Sequence, residues 1–384
     1  MNKVFVFVGD PGTNASEVLT MLKRENLVAK RASLNVTAQE VVSMGPLAIV
    51  LSENFENRAD FICALREKPE LAQVPIIARV NDTISSEMEY AYKDGVDEVC
   101  AGCNLLQFEA FVNMVTKQDS WQVVRAPAGK IVLAYKDRLS RMKLGQTLRK
   151  KGFDTYFAAD AQELDKAIAT QNPRAVVSEL GILGNSALSM ITSSQDSEKK
   201  LFWVLSASDD AMNGFDMGKV DASLVRLLDQ EADAESVTYL LNELLMPEPF
   251  GQRRSPRILY GTPVRFSPDQ QGAPMFDGFT FNVNIGGLYI RSTTPLPMQT
   301  LVEVSFTPPF GRGKVNMIAQ VVWRKEYGKD ERPTTPPGMG IQFVKSWIAD
   351  KSGFEAGYKA LLEVSEKNNG SQRASGAIPA FFSL

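Results

Sequence analysis

From Lys3 the chain alternates short β-branched apolar runs with stretches spaced like helices: "KVFVFVGD", "ASEVLTMLKREN", "VAKRAS", "TAQEVVSM", "LAIVLSE", "ADFICALREKP", "VPIIARV" and "SSEMEYAYKDG", then "VDEV" and "LLQFEAFVNMV". This rhythm predicts βα units around a parallel sheet over residues 3–117. It begins again at Lys130 with "KIVLAYKD", "LSRMKLGQTLRKKG", "DTYFAAD" and "AQELDKAIATQ", and continues through "RAVVSEL", "ALSMITSS", "LFWVLSAS", "ASLVRLL" and "ESVTYLLNELL". "WQVVRAPAG", Trp121 to Gly129, reads as the linker between the two units, and the two prolines of "MPEPFGQ" close the second near residue 250.

After Pro249 the helical period disappears. "RILYGTPVRFSP", "FDGFTFNVNIGGLYIRS", "TLVEVSFTPPF", "VNMIAQVVWRKEYG" and "GMGIQFV" are alternating or β-branched runs broken by Gly, Pro and Asn/Asp turns, which predicts a small antiparallel barrel. A helix follows in "DKSGFEAGYKALLEVSEK". The fold class is therefore multidomain α/β plus β: two five-stranded parallel-sheet domains at residues 1–120 and 128–247, and a barrel with its helix at 250–365. The Gly/Ser/Asn-rich tail, 366–384, predicts disorder, with "IPAFFSL" a loosely packed end.

Composition agrees with several domains. The chain has 384 residues, 44% of them apolar and 23% charged, the balance of a soluble globular protein. "VFVFV" stops at Gly9-Asp10, too short for a spanning helix and without the layout of a signal peptide, so no membrane insertion is expected. A net charge of −3 argues against broad nucleic-acid binding and confines any anionic ligand to a local basic patch. Three cysteines, Cys63, Cys100 and Cys103, are too few for a disulfide framework and fit a reducing cytoplasm. "CAGC" at the start of a helix has the spacing of a redox or zinc motif, but without a second CxxC it reads as a loop. The chain contains no histidine, which excludes Ser/His/Asp triads, Cys/His dyads, histidine phosphotransfer and His-ligated metals. "GDPGTN" opens like a phosphate loop but lacks the Gly-Lys-Ser/Thr that would reach the phosphates, and "KDERP" reads as a solvated turn.

One patch does concentrate positive charge. "FGQRRSPRILYG" carries Arg253, Arg254 and Arg257 on a short connector, and Pro256 biases Ser255 toward extended geometry so that the segment can wrap across the barrel. Arg253 to Arg257 is an RxxxR. "NVNIGG", Asn282 to Gly287, follows at a suitable separation, and "PPGMGIQF" comes later. In that order these motifs resemble the PilZ family over residues 250–347, where the family has RxxxR and (D/N)xSxxG. PilZ domains bind cyclic di-GMP, a dianionic ring with two guanines. The resemblance implies that Arg253 and Arg257 clamp the ligand with help from Arg254, that Asn282 meets a guanine edge or sugar, and that Gly287 allows close approach. Guanidinium suits the task because it forms bidentate bonds to phosphate or to a guanine edge and stacks on purines, which lysine does not. Asn284 stands where the family has serine, so altered binding and an obstructed pocket are both open.

The two N-terminal units resemble response-regulator receiver domains. That family holds Mg²⁺ and accepts a phosphoryl group with two acids after the first strand, an aspartate after the third, Ser/Thr after the fourth and lysine after the fifth. The first unit retains Asp10 but has Ser52 and Glu53 at the acceptor position and "CAGC" at the lysine turn. The second retains Asp137 and Ser206, with Glu179 near the acceptor and Arg226 near the lysine position. Glu179 reads either as a mimic of an activated aspartate or as the mark of a lost site.

The expectation is thus a non-enzymatic cytoplasmic regulator without a metal or resident cofactor. It would bind cyclic di-GMP and relay it through protein contacts of two pseudo-receivers, with homodimerisation among the assemblies the receiver resemblance implies. The competing expectation is a ligand-independent scaffold with a degenerate PilZ domain, acting in motility or cell polarity. A phosphorylated response regulator is disfavoured by the missing acceptor chemistry.

Overall fold

The computed structural model describes residues 3–10, 14–53, 55–80, 85–101, 104–117, 129–195, 200–221, 223–230, 232, 234–245, 255, 257–270, 272–328, 335–346 and 348–368. The first domain has strands β1 (Val4–Val8), β2 (Val28–Ala32), β3 (Pro46–Leu51), β4 (Ile76–Val80) and β5 (Glu98–Ala101). Its helices are α1 (Ala15–Arg24), α2 (Ala38–Met44), α3 (Arg58–Arg66), α4 (Ser85–Lys93) and α5 (Leu105–Thr116). The strands are parallel in the order β2-β1-β3-β4-β5, the flavodoxin-like arrangement. β1 and β4 are buried at every position because helices cover both faces, which is why their sequences are continuous apolar runs without alternation. Local signals set the helix ends. Thr37 and Glu40 form a reciprocal capping box at the start of α2, and Gly45 ends it in the left-handed conformation.

The second domain repeats the plan with β6 (Gly129–Ala134), β7 (Phe153–Ala158), β8 (Ala175–Glu179), β9 (Phe202–Ala207) and β10 (Val225–Asp229), ordered β10-β9-β8-β6-β7. Its helices are α6 (Arg138–Lys150), α7 (Ala161–Gln171), α8 (Leu180–Leu183), α9 (Ala187–Gln195), α10 (Asp209–Asn213) and α11 (Ala234–Leu245). Asp137 and Asp160 cap α6 and α7 through the backbone N–H groups of Ser140 and Glu163.

The third domain is antiparallel: β11 (Ile258–Leu259), β12 (Pro263–Pro268), β13 (Phe276–Asn284), β14 (Gly287–Arg291), β15 (Leu301–Phe306), β16 (Val315–Lys325) and β17 (Gly338–Ser346). The order β13-β12-β15-β16-β17-β14 closes on itself when β14 pairs with β13, and β11 adds to the end of β13. Closure leaves no long free edge on a sheet this small. A final helix, α12 (Ile348–Asn368), seats Phe354, Tyr358 and Leu361 in the barrel core beside Phe306 and Phe343. Each such burial contributes about 1.5–3 kcal/mol.

Buried side chains of all three domains join in one cluster: Ile62 and Tyr92 from the first, Leu148 and Leu244 from the second, Phe279 and Tyr289 from the barrel. Asp97 and Glu98, consecutive at the entry to β5, reach the other two domains. Asp97 pairs with Lys150 of α6 at 2.7 Å and with Arg66 at 2.6 Å. The Glu98 carboxylate accepts the Thr293 N–H at 2.6 Å and the Thr293 hydroxyl at 2.9 Å. Gln107 grips both backbone groups of Asp277 on β13, donating to its carbonyl at 2.8 Å and accepting its N–H at 3.3 Å.

Candidate functional site on the barrel face

The site expected from the sequence is built on the β13–β14 hairpin and the segment that enters β11. β11 pairs with β13 so that Leu259 lies opposite Asn282 and Ile258 opposite Val283. Continuing that antiparallel register puts Arg257 level with Asn284. The fold thus brings Arg257 to the same edge as Asn282 and Asn284, although 25 and 27 residues separate them in sequence. Arg257 is exposed, Asn282 is buried and Asn284 is half-buried. Arg253 and Arg254 lie outside the described residues.

Asn284 closes the hairpin on itself. Its side-chain oxygen accepts the Gly286 N–H at 3.1 Å, an Asx-type turn for which a serine would reach less far. Gly287 is required by the barrel whether or not a ligand binds, since a Cβ there would run into the backbone carbonyl of Ile341 on β17.

Aromatic side chains line the inner side of this edge and tie it to the second domain. Tyr239 of α11 donates its hydroxyl proton to the Arg257 carbonyl at 2.7 Å, and its ring meets Phe281 edge-on at 5.8 Å. Phe281 continues to Tyr289 at 6.1 Å, and Tyr289 to Trp323 at 5.6 Å. Burial raises the Tyr289 hydroxyl pKa well above the ordinary range, so this group stays protonated, and it donates to the Pro336 carbonyl at 2.7 Å. Sequence reading missed this ladder. The signal available was the alternation of "FTFNVN", which assigns Phe281 to the face opposite Asn282 but cannot say that Tyr239 covers it.

The positions that receivers use for phosphoryl chemistry are engaged in internal contacts. Ser52 is buried and Glu53 pairs with Arg79 at 3.3 Å. Glu179 accepts the Lys136 N–H at 2.9 Å, while Asp137 caps α6, which holds its carboxyl below the usual range. Ser206 hydrogen-bonds Tyr135, whose hydroxyl burial pushes upward in pKa. Arg226 donates to the Val225 carbonyl at 2.9 Å. Among the described residues no three Cys, Asp or Glu side chains come together as a metal ion would need. Cys100 is buried with its thiol toward the Asn104 carbonyl, and Cys103 lies outside the described residues, as do the "KDERP" loop and Pro11 to Thr13 of "GDPGTN". Among the described residues no helix is long and apolar enough to cross a membrane.

Comparison with known proteins bears on the barrel. The model of the PilZ domain family matches residues 251–352. Among solved structures, the PilZ domain of YcgR from Escherichia coli, with c-di-GMP, is 14% identical and covers 32% of this chain and 99% of its own, with a TM-score of 0.24. The PilZ domain of CeSA from a cellulose-synthesizing bacterium is 14% identical, covering 28% of this chain and 99% of its own at a TM-score of 0.22. A putative two-component system response regulator/GGDEF domain protein is 15% identical, covering 64% of this chain and 98% of its own at a TM-score of 0.33. No curated protein matches the sequence. With the family match spanning both arginine and asparagine-glycine motifs, on a closed six-stranded antiparallel barrel with its C-terminal helix, residues 251–352 are a PilZ domain carried behind two parallel-sheet α/β domains.

Proposed function

We propose that the chain is a non-enzymatic signalling regulator that binds cyclic di-GMP at the Arg253–Arg257 and Asn282–Gly287 edge of its PilZ domain. The two α/β domains act as pseudo-receivers that pass the bound state to protein partners in the cytoplasm. The observation that carries this reading is the PilZ match across residues 251–352, which contains both motifs in order. In this reading Arg257, exposed at the edge, and the neighbouring Arg253 and Arg254 neutralise the two phosphates and read or stack on guanine. Asn282 holds a guanine edge or sugar. The Tyr239 hydroxyl on the Arg257 carbonyl supports the relay, because a ligand that draws the arginine segment onto the barrel also pulls on α11.

Calorimetric titration of the full chain with cyclic di-GMP is the test. Replacing Arg257 with Ala removes charge-assisted bonds worth about 1.5–3 kcal/mol, a loss of affinity of about tenfold or more. Lysine at 257 restores only part of it. Asn284→Ser restores the family pattern and leaves binding equal or tighter. No heat from either the parent chain or Asn284→Ser overturns the ligand reading. The self-satisfied Asn284 turn favours one second reading, a ligand-independent scaffold in motility or polarity, which that result would leave standing.

A further inference from the structure

The arginine edge continues sideways across the barrel. Asn284 on β13 pairs with Gly287 on β14, Gly287 with Gln342 on β17, and Gln342 with Gln320 on β16. With Arg257 level with Asn284, one lateral row runs Arg257, Asn284, Gly287, Gln342, Gln320. Paired residues of antiparallel strands put their side chains on the same face. Val283, Leu288 and Ile341, each one position along from the row, are buried in the barrel core. Asn284 and Gln342 consequently point outward, because successive side chains alternate. Asn284 is half-buried and Gln342 is exposed.

Gly287 adds no side chain between them, and a Cβ there would strike the Ile341 carbonyl. Asn284 and Gln342 thus flank a bare strand, two strand spacings or roughly 9–10 Å apart. The open strip is narrow. On one side the next pair of the ladder, Asn282 and Tyr289, is buried beside the contact of Tyr239 with Phe281, and on the other the hairpin turns through Ile285 and Gly286. A ligand clamped at Arg257 therefore extends along the row, and the first side chain it meets beyond Asn284 is Gln342. The Asn284 oxygen is already engaged by the Gly286 N–H, and the Gln320 amide donates to the Gln299 carbonyl at 3.3 Å. A carboxamide offers an acceptor and a donor side by side. The edge of guanine presents the complementary pair, an N1–H donor beside the O6 acceptor.

We propose that Gln342 is a further ligand-binding residue, whose amide holds the edge of one guanine of cyclic di-GMP lying over Gly287. Its Oε1 accepts from the base N1–H and its Nε2 donates to O6, while the arginines hold phosphate. The inference rests on the cyclic di-GMP reading and adds to it a base contact from a strand outside the arginine and asparagine-glycine motifs.

Calorimetric titration of the full chain with cyclic di-GMP at two sodium chloride concentrations is the test, in the parent background or in Asn284→Ser if that variant alone binds. Gln342→Ala is expected to bind about three- to tenfold more weakly, the loss of neutral hydrogen bonds, with an unchanged melting temperature because the side chain is exposed. Its affinity should fall with added salt as steeply as the parent's, since no charge is removed. Arg257→Ala should weaken binding and make that fall shallower. Gln320→Ala, one strand further along the row, should bind as the parent does. Equal affinity in Gln342→Ala, an equal loss in Gln320→Ala, or a shallower salt dependence in Gln342→Ala overturns the base contact and leaves the arginine edge standing. No heat from either the parent or Asn284→Ser overturns the cyclic di-GMP reading, and the Gln342 contact with it.

Discussion

In the first α/β domain the chain enters its fifth strand through Asp97 and Glu98. At the matching register of the second domain stand Leu224 and Val225, with Trp203 beside Val225 where Ile77 lies beside Glu98. Both strands are parallel edge strands in sheets of the same order. Successive side chains on a strand point to opposite faces. In the second domain both residues are apolar and buried, Val225 in that domain's own core. In the first, one direction leads to Lys150 of the second domain and the other to Thr293 of the barrel, and both positions carry a carboxylate. One fold is thus used as a self-contained unit in one place and as a hub in the other. The difference lies in which buried polar groups the neighbouring domains supply, because a carboxylate is tolerated in an interior only where donors or cations meet it.

The sharpest way to break this comparison is Asp97→Asn, which leaves Arg66 and Lys150 facing each other without a charge between them. A cost of about 3–5 kcal/mol in urea unfolding is expected, with loss of cooperativity between the two α/β domains. Leu224→Ala, the matched change in the second domain, should cost about 2–5 kcal/mol through the cavity it leaves, with the effect confined to that domain in hydrogen exchange. If the two variants gave the same exchange pattern, the hub description would be wrong.

Glu98→Ala comes next. It strips the Thr293 N–H and hydroxyl of their acceptor, and about 1.5–3 kcal/mol of stability should go with it, read as earlier exchange of amides in β13 and β14. Unchanged protection there would mean that Glu98 does not hold the barrel.

A smaller effect separates the two acids by pH. Burial would raise the Asp97 carboxyl, but Lys150 and Arg66 outweigh it and hold the group at about 2. Between there and its ordinary 3.8 the unfolded chain binds a proton that the folded chain does not, so stability is lost as pH falls through that window. Glu98 shifts the opposite way, raised above 4.5 by burial in spite of its bonds to Thr293. There the folded chain holds the extra proton, and stability falls as pH rises from 4.5 through the folded value. Each slope is at most about 1.4 kcal/mol per pH unit. Glu98→Gln should flatten the second slope and leave the first. A titration in which it flattened both would tie the two acids into one unit.

The smallest expected effect is on Arg257. Its side chain is exposed, so Arg257→Ala should change the unfolding free energy by no more than about 0.5 kcal/mol in the absence of ligand. A larger loss would assign the arginine to the link with α11 that now rests on its backbone carbonyl.

Much of the architecture was legible in the chain. Continuous apolar runs such as "VFVFV" and "PLAIVL" mark strands covered on both faces, and the change to alternation in "LVEVSF" marks a sheet with one wet side. The RxxxR and asparagine-glycine motifs were legible too, as residue types in order. Their convergence was not, because opposing Arg257 to Asn284 depends on a strand register set by burial across the whole barrel. The role of Gly287 was equally hidden: it answers to Ile341, more than fifty residues away.

The sequence by itself determined the element types, the repeat of the α/β plan, the switch to a barrel, and the absence of histidine chemistry, since each follows from local period or composition. Tertiary structure alone decided which charges would be buried and against what. "VDEV" reads as a strand with two acids, yet nothing near it in the chain announces Lys150, Arg66 or Thr293. The energy of a buried charge depends on partners that only the packing of three domains brings within bonding distance.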